Sequence, residues 1–284
     1  MGTSIPHIDA RRFVGAELAE RKGSTTVSVC LPARNEAETV GPIVTAIRHR
    51  LMERIALVDE LIVVDDHSTD ATAAIARDAG ATVVDASTVL TDHDLGPGKG
   101  EALWKSVHVS TGDLIVWCDS DITDFDTRFV TGLLGPLIED PGVAFTKGFY
   151  ERQEHDGVGG GRVTELTARP LLQLLFPDLA SVVQPLSGEY AGRRSVLELL
   201  PFTVGYGVDL GLLIDVHRLV GPEAMVQVDL GRRHHRNRPL VELAPQALSV
   251  LQKGLERAGV DVPADAELPP LVELADYRAS ALRS

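Results

Sequence analysis

From Thr25 onward, short apolar runs alternate with stretches of helical spacing. Residues 26–32 (TVSVCLP), 60–66 (ELIVVDD), 81–85 and 113–118 (DLIVWC) are rich in β-branched and aliphatic side chains and read as strands. Between them, residues 39–52 place Val40, Ile43, Val44 and Ile47 at helical spacing, and Ser68-Thr69-Asp70 opens a second helix over 71–79. A Gly/Pro loop at 95–100 leads into a third helix carrying Leu103 and Val107. The strands are nearly continuous in apolar character, as expected of a parallel sheet covered on both faces. The pattern therefore predicts an α/β fold.

After residues 143–150 the alternation loosens. Residues 154–161 (EHDGVGGG) form a Gly-rich stretch, and 162–176 read as a helix that Pro170 should kink or break. Residues 205–220 read as a helix and 225–230 as a strand. Residues 240–255 are strongly amphipathic, with apolar side chains at 240, 243, 244, 247, 248, 251 and 255. Residues 1–24 look like an arm with a short helix around 11–20. The tail from Pro263, with Pro269-Pro270, reads as a small packed appendage.

Length and composition narrow the class. At 284 residues the chain is near the limit for one core. With 44% hydrophobic and 24% charged residues it is an ordinary globular protein. No apolar run reaches the roughly 18 residues that span a bilayer, and no signal-peptide core precedes residue 24. Met1–Pro6 fits a myristoylation pattern only loosely. The expected location is cytoplasmic, with Cys30 and Cys118 as reduced core thiols. A formal net charge of −14 argues against nucleic acid and anionic membrane as partners. An enzyme of anionic substrates must then concentrate positive charge locally. Arg162 with Arg169, and the run Arg232-Arg233-His234-His235-Arg236-Asn237-Arg238, are the two places that do so.

In an open α/β sheet, ligands bind beyond the carboxyl ends of the strands. Three polar clusters fall at such ends: Pro32-Ala33-Arg34-Asn35-Glu36, Asp65-Asp66-His67-Ser68 and Asp119-Ser120-Asp121. A single acidic residue there is usually a helix cap. The pair Asp119 and Asp121, two residues apart, can converge on a hard divalent cation, which would bridge a diphosphate and neutralise a departing nucleotide. The plain alternative is an Asx turn with solvated carboxylates. Gly96-Pro97-Gly98-Lys99-Gly100 offers glycines that let backbone approach a phosphate, a helix start and a lysine. It is not a Walker A loop, because Gly100 rather than Ser or Thr follows Lys99. A tight turn without ligand is its bland reading. His234 or His235 offers a nitrogen ligand, and the neighbouring arginines suit phosphate or carboxylate.

Taken together and in this order, P-A-R-N-E, D-D-H-S-T-D, G-P-G-K-G and D-S-D resemble the nucleotide-sugar half of a GT-A glycosyltransferase. Further on, G-R-V-T-E-L at 161–166, Q-P-L-S-G-E at 184–189, G-Y-G-V-D at 205–209 and H-R-N-R at 235–238 resemble the glucosyl-3-phosphoglycerate synthases of actinobacteria. The resemblance implies a GT-A fold with a mixed, mostly parallel sheet. It implies UDP-glucose as donor, 3-phosphoglycerate as acceptor, Mg²⁺ or Mn²⁺ as cofactor, retention at the anomeric carbon and a homodimer. It places the chain in methylglucose lipopolysaccharide or glucosylglycerate synthesis. Carried over by motif, Pro32, Ala33, Arg34, Glu36 and Asp66 would hold uracil and ribose, with Gly98 and Lys99 on the diphosphate side. Asp121 and His235 would ligate the metal, and Asp119 would lie nearer the sugar. Leu186 and Asp209 would position the glucose hydroxyls. Gly161, Arg162, Val163, Thr164 and Asn237 would hold the phosphoglycerate. Two positions depart from the family pattern: Asp209 stands where it carries Glu, and Arg34 where it often carries Leu.

The implied organisation is an arm over 1–24, a glycosyltransferase domain over 25–245 and a C-terminal helical extension over 246–284. Within the domain, 25–122 would be the donor half and 123–245 the acceptor half. No second convergent carboxylate pair like that of a retaining glycosidase is evident, so front-side attack assisted by the leaving phosphate is the favoured route. For Asp209 the bland reading is a stabilising charge in the first turn of a helix. The rival functions are a mannosyl-3-phosphoglycerate synthase using GDP-mannose, a polyprenyl-phosphate sugar transferase, a nucleotidyltransferase, and a non-catalytic nucleotide-sugar-binding regulator. The third expects a Gly-rich first loop that P-A-R-N-E is not, and the second a membrane-facing helix that the sequence does not show.

Overall fold

The computed structural model describes residues 4–154, 157–158, 161–234, 240–263 and 265–277. Eleven strands are assigned in it: β1 (His7–Asp9), β2 (Val27–Ala33), β3 (Glu60–Asp65), β4 (Thr82–Asp85), β5 (Leu114–Trp117), β6 (Phe145–Glu154), β7 (Gly157–Val158), β8 (Tyr190–Arg193), β9 (Phe202–Thr203), β10 (Met225–His234) and β11 (Glu267–Leu268). The helices are α1 (Gly15–Arg21), α2 (Val40–Ile47), α3 (Thr72–Asp78), α4 (Lys99–Val109), α5 (Arg128–Glu139), α6 (Arg169–Leu175), α7 (Arg194–Leu197), α8 (Val208–Val220) and α9 (Leu240–Arg257).

The main sheet runs β1-β10-β6-β8-β5-β2-β3-β4, with β7 paired to β6. All neighbours on this path are parallel except β8, which is antiparallel to both β5 and β6. Successive residues of a strand face opposite sides, and they divide the core accordingly. Cys30, Ile62, Val64, Ile115 and Trp117 join a layer with Trp104, Tyr190, Phe202 and Leu213. Val29, Leu31, Val63, Leu114 and Val116 join the other, with Ile43, Phe129 and Leu133. Both cysteines are buried free thiols, and burial pushes Cys30 up to about 12, so both are unreactive packing groups.

Several expectations need correction. The arm carries a strand, not only a helix: β1 extends the sheet edge, and Ala10 and Phe13 lie so close to α5 that a Cβ on Gly132 or Gly135 would collide with them. Pro170 does not break its helix. The chain stays helical from 162 to 175, but widens into a π-helical stretch at Thr164–Ala168 just before the residue that lacks an N–H. The boundary at 245/246 falls inside α9. The tail is tied to the body by β11 on β9 and by buried Leu268, Leu271 and Tyr277.

Candidate active site

The carboxyl ends of β2, β3 and β5 share one edge of the sheet. Because β8 runs the other way, its beginning reaches the same edge and brings Gly188 and Glu189 there. The four loops open into one cavity of about 930 Å³. Pro32, Ala33, Arg34 and Glu36 line it from β2, Asp66 from β3, Gly98 and Lys99 from the start of α4, and Asp119 and Asp121 from beyond β5. Gly161, Arg162, Val163, Thr164, Leu186 and Asp209 complete it. The structure thus brings together every predicted site residue except His235 and Asn237, which lie outside the described residues. Tyr150, Leu243 and Gln246, not singled out by the sequence, also line the cavity, as does Tyr206 of the G-Y-G-V-D motif. Gln246 and Leu243 come from α9, so the C-terminal helix is part of the site wall.

The loops after β2 and β3 are laced to each other. The Asn35 side-chain oxygen accepts from the Thr69 N–H at 2.8 Å, and Thr72 Oγ1 accepts from the Glu36 N–H at 2.7 Å. Asn35 and His67 both hold a positive φ, at 58° and 59°, a conformation that non-glycine residues rarely adopt outside functional turns. Asp66 is buried and takes the Gly98 N–H at 3.3 Å and His67 Nδ1 at 3.0 Å. It acts as more than a cap: it ties the β3 turn to the Gly/Pro loop. Two glycines of that loop have a packing cause besides the approach to a phosphate. A Cβ on Gly98 or Gly100 would run into the carbonyls of Val204 and Thr203, so these positions are small because two backbone segments touch.

Lys99 leads α4 and points into the cavity, where its Nζ lies 3.1 Å from Asp119 Oδ1 and 3.2 Å from Asp209 Oδ2. Burial works against its charge, but Asp119 and Asp209 more than reverse this and hold its pKa well above the ordinary lysine value. The second oxygen of Asp209 accepts from the Tyr190 hydroxyl at 3.1 Å. Asp209 is therefore held by two side-chain partners in the cavity wall, beyond its place in the first turn of α8.

Within the basic run, Arg233 is the arginine that organises the site. It is 1% exposed and donates to Glu189 at 2.6 Å, Asp121 at 2.7 Å and the Tyr150 hydroxyl at 2.9 Å, with Asp119 Oδ2 at 3.6 Å. The basic run was legible, but which arginine turns inward depends on the register of β10 beside β6, where Arg233 pairs with Arg152. Burial raises the Glu189 carboxyl to about 7, with Arg233 pulling the other way. Arg169, by contrast, is spent on Glu165 at the surface.

The turn carrying Asp119 and Asp121 is fixed from below: Ser120 Oγ donates to the Pro32 carbonyl at 2.8 Å, and Thr39 donates to the Ser120 carbonyl at 2.6 Å. Asp119 packs directly on Gly188, where a Cβ would lie 2.1 Å from its Oδ1. Two hard carboxylates in an open cavity suit Mg²⁺ or Mn²⁺. Among the described residues no group of three metal-ligating side chains forms. The donor set present fits such a cation as two of its ligands.

Across the cavity, Gly161 holds a φ of +81° and opens the helix that begins at Arg162. The first N–H groups of a helix have no partner within it, which makes this wall receptive to an anion.

Residues 28–199 match the family described as glycosyl transferase family 2. The glucosyl-3-phosphoglycerate synthase of Mycolicibacterium smegmatis is 50% identical over 250 residues, covering 86% of this chain and 82% of that protein. A crystal structure of the Mycobacterium tuberculosis glucosyl-3-phosphoglycerate synthase with Mn²⁺, UDP-glucose and phosphoglyceric acid aligns with a TM-score of 0.84 at 42% identity, over 92% of this chain and 95% of that one. The mannosyl-3-phosphoglycerate synthase of Rubrobacter xylanophilus aligns with a TM-score of 0.87 at 38% identity, over 95% and 97%. With a family match over most of its sheet and relatives of this identity along nearly its whole length, the chain belongs to glycosyltransferase family 2 and, within it, to the family of the glucosyl-3-phosphoglycerate synthases.

Proposed function

We propose that the protein transfers glucose from UDP-glucose to the hydroxyl of 3-phosphoglycerate, with retention, giving glucosyl-3-phosphoglycerate and UDP. The observation that carries this reading is that the paired carboxylates Asp119 and Asp121 and the helix start at Gly161–Thr164 open into one cavity. A donor diphosphate and an anionic acceptor therefore meet there. The relatives described above support the choice of donor and acceptor.

In this reading Pro32, Ala33, Arg34, Glu36 and Asp66 hold the uridine, and Gly98 and Lys99 face the diphosphate. Asp121 and His235 would hold the divalent cation, with Asp119 nearer the sugar, and the cation would supply charge neutralisation at the leaving phosphate. Leu186 and Asp209 bracket the glucose. Gly161, Arg162, Val163, Thr164 and Asn237 receive the phosphoglycerate. Asp209 and Asp119 are both engaged by Lys99, which disfavours either as a free nucleophile. The acceptor hydroxyl attacks the anomeric carbon on the face that UDP leaves. The carbon–phosphate-oxygen bond breaks as the new glycosidic bond forms, and the hydroxyl proton passes to the departing β-phosphate oxygen.

A donor-by-acceptor screen reading nucleotide release tests the assignment. UDP-glucose with 3-phosphoglycerate should exceed every other pairing. Faster turnover of GDP-mannose would favour the mannosyl reading, which the alignment with the R. xylanophilus enzyme keeps in view. Among the described residues no helix is long and apolar enough to cross a membrane, and we place the protein in the cytoplasm. We also propose a homodimer: Leu166, Leu174, Val241 and Leu248 are exposed on helices that pack together. Light scattering at working concentration checks this, and a monomer mass would refute it.

A further inference from the structure

Lys147 is a charged side chain buried within the sheet, between Gln227 of β10 and Tyr190 of β8. Along β6, Phe145, Lys147 and Phe149 share one face, and Lys147 is 3% exposed. Lysine is almost never buried so fully unless paired. No described carboxylate forms an ion pair with it. Its Nζ instead donates to the Ser187 carbonyl at 2.8 Å and lies 4.2 Å from the centre of the Tyr190 ring, within cation–π range.

Both partners lead into the cavity. Ser187 follows Leu186 in the turn between Gln184 and Gly188, whose far end supports Asp119. Tyr190 is fully buried between Trp117 and Phe145, and its hydroxyl donates to Asp209. One ammonium group thus touches the supports of two groups that bracket the glucose.

We infer that Lys147 is a positioning residue for glucosyl transfer, fixing the turn that presents Leu186 and, through the Tyr190 ring, the hydroxyl that holds Asp209. This rests on the function proposed above. Ser187 Oγ also donates to the Gly148 carbonyl at 2.5 Å, and Gln184 exchanges two hydrogen bonds with the Tyr150 backbone. The turn is thus stitched to β6 on both sides of Lys147, and the lysine supplies a charged stitch. Burial is the largest influence on that charge and lowers its pKa to about 8. Asp209 from α8, Glu189 from β8 and Asp119 beyond β5 favour the ammonium, while Lys99 from α4 opposes it. The Tyr190 phenol is pushed well above its ordinary value, chiefly by burial, and stays neutral in the same range. Losing the Lys147 proton near pH 8 removes the cation–π attraction while leaving Tyr190 unchanged.

The test uses Lys147→Met, which keeps the length and removes the charge, beside Tyr190→Phe, which keeps the ring and removes the hydroxyl. In Lys147→Met, kcat should fall by about tenfold to a hundredfold, as expected when reacting groups are misplaced by a fraction of an ångström. The dissociation constant for UDP should change by less than about threefold, since Lys147 reaches no nucleotide-binding residue directly, and the alkaline limb of the kcat profile near pH 8 should disappear. Tyr190→Phe should lower kcat by about threefold to tenfold, the value of one hydrogen bond, and keep that limb. Hydrogen exchange over residues 184–189 reads the anchor without substrate and should be faster in Lys147→Met than in wild type. Wild-type kcat in a folded Lys147→Met protein, or a lowered kcat with the alkaline limb intact, would overturn the inference. Should Lys147→Met not fold, Tyr190→Phe decides: unchanged kcat overturns the inference, and a lower kcat at unchanged UDP affinity supports it. If wild type transfers no glucose to 3-phosphoglycerate, the functional reading fails, and hydrogen exchange still decides the anchor.

Discussion

Replacing Gly188 by alanine perturbs the site through a single contact. The new Cβ would lie 2.1 Å from Asp119 Oδ1 and 2.3 Å from its Cγ and Oδ2. Non-bonded atoms pack at roughly 3.5 Å, so the carboxylate must retreat by about 1 Å or more. Asp119 has a short side chain and cannot yield at a distant tip. Its retreat would loosen the contacts to Lys99 at 3.1 Å and Arg233 at 3.6 Å. A displacement of about 1 Å at reacting groups can cost around a hundredfold in rate, and overpacking costs about 1–3 kcal/mol of stability. We therefore expect Gly188→Ala to lower kcat about a hundredfold while still melting cooperatively. Steady-state kinetics on a double-mutant cycle with Asp119→Ala isolates the cause. Once Asp119 is truncated the methyl group has nothing to displace, so the double variant should be no slower than Asp119→Ala alone. A Gly188→Ala enzyme with wild-type kcat would refute the reasoning. So would a further large loss when it is added to Asp119→Ala.

Chelation should abolish transfer and Mn²⁺ or Mg²⁺ restore it, with Asp121→Ala removing most activity in a folded protein; full activity in excess EDTA would exclude the metal. Arg162→Ala should raise KM for 3-phosphoglycerate by about tenfold to a hundredfold, the value of a charge-assisted hydrogen bond of about 1.5–3 kcal/mol, with KM for UDP-glucose little changed. A parallel rise in both would make the loop structural. Asp209→Asn should depress kcat with UDP affinity retained, whereas a residue acting only on the helix dipole would cost about 0.3–1 kcal/mol of stability and no turnover. In the C-terminal network, burial opposes the Glu267 carboxylate, but Arg257 and Lys253 outweigh it and hold its pKa below the ordinary glutamate value. A depressed carboxylate stabilises the fold above its unfolded pKa, and this is lost as pH falls through the folded value. Glu267→Gln should thus lower the melting midpoint at pH 7 and narrow its gap to wild type in acid, and a constant gap would contradict the linkage.

How much of this was legible beforehand follows from what each residue answers to. β2, β3 and β5 answer to local composition, and their ends fell within a residue or two of the expected ones. α5 was not expected, because Gly132, Gly135 and Pro136 break its pattern. The first two are glycine for the sake of Ala10 and Phe13, far away in sequence. β8 is short and antiparallel, and its neighbours are fixed only by the completed sheet. The strand-end carboxylates and the Gly161 loop were visible because motif and strand end coincide. Arg233 and Glu189 were visible only as members of the basic run and of the Q-P-L-S-G-E motif, and Tyr190 and Lys147 not at all. They lie behind the cavity wall, and their role depends on register and on which side chains meet across β6, β8 and β10.

The central claim is glucosyl transfer with retention, and one NMR time course tests it most directly. The protein is mixed with UDP-glucose, 3-phosphoglycerate and Mn²⁺, quenched with chelator at intervals, and the anomeric signals are followed. The account predicts that UDP-glucose is consumed only when acceptor is present, and that one α-linked glucosyl-3-phosphoglycerate appears for each UDP released. A β-linked product would contradict retention, and free glucose or no product at all would contradict the transfer itself.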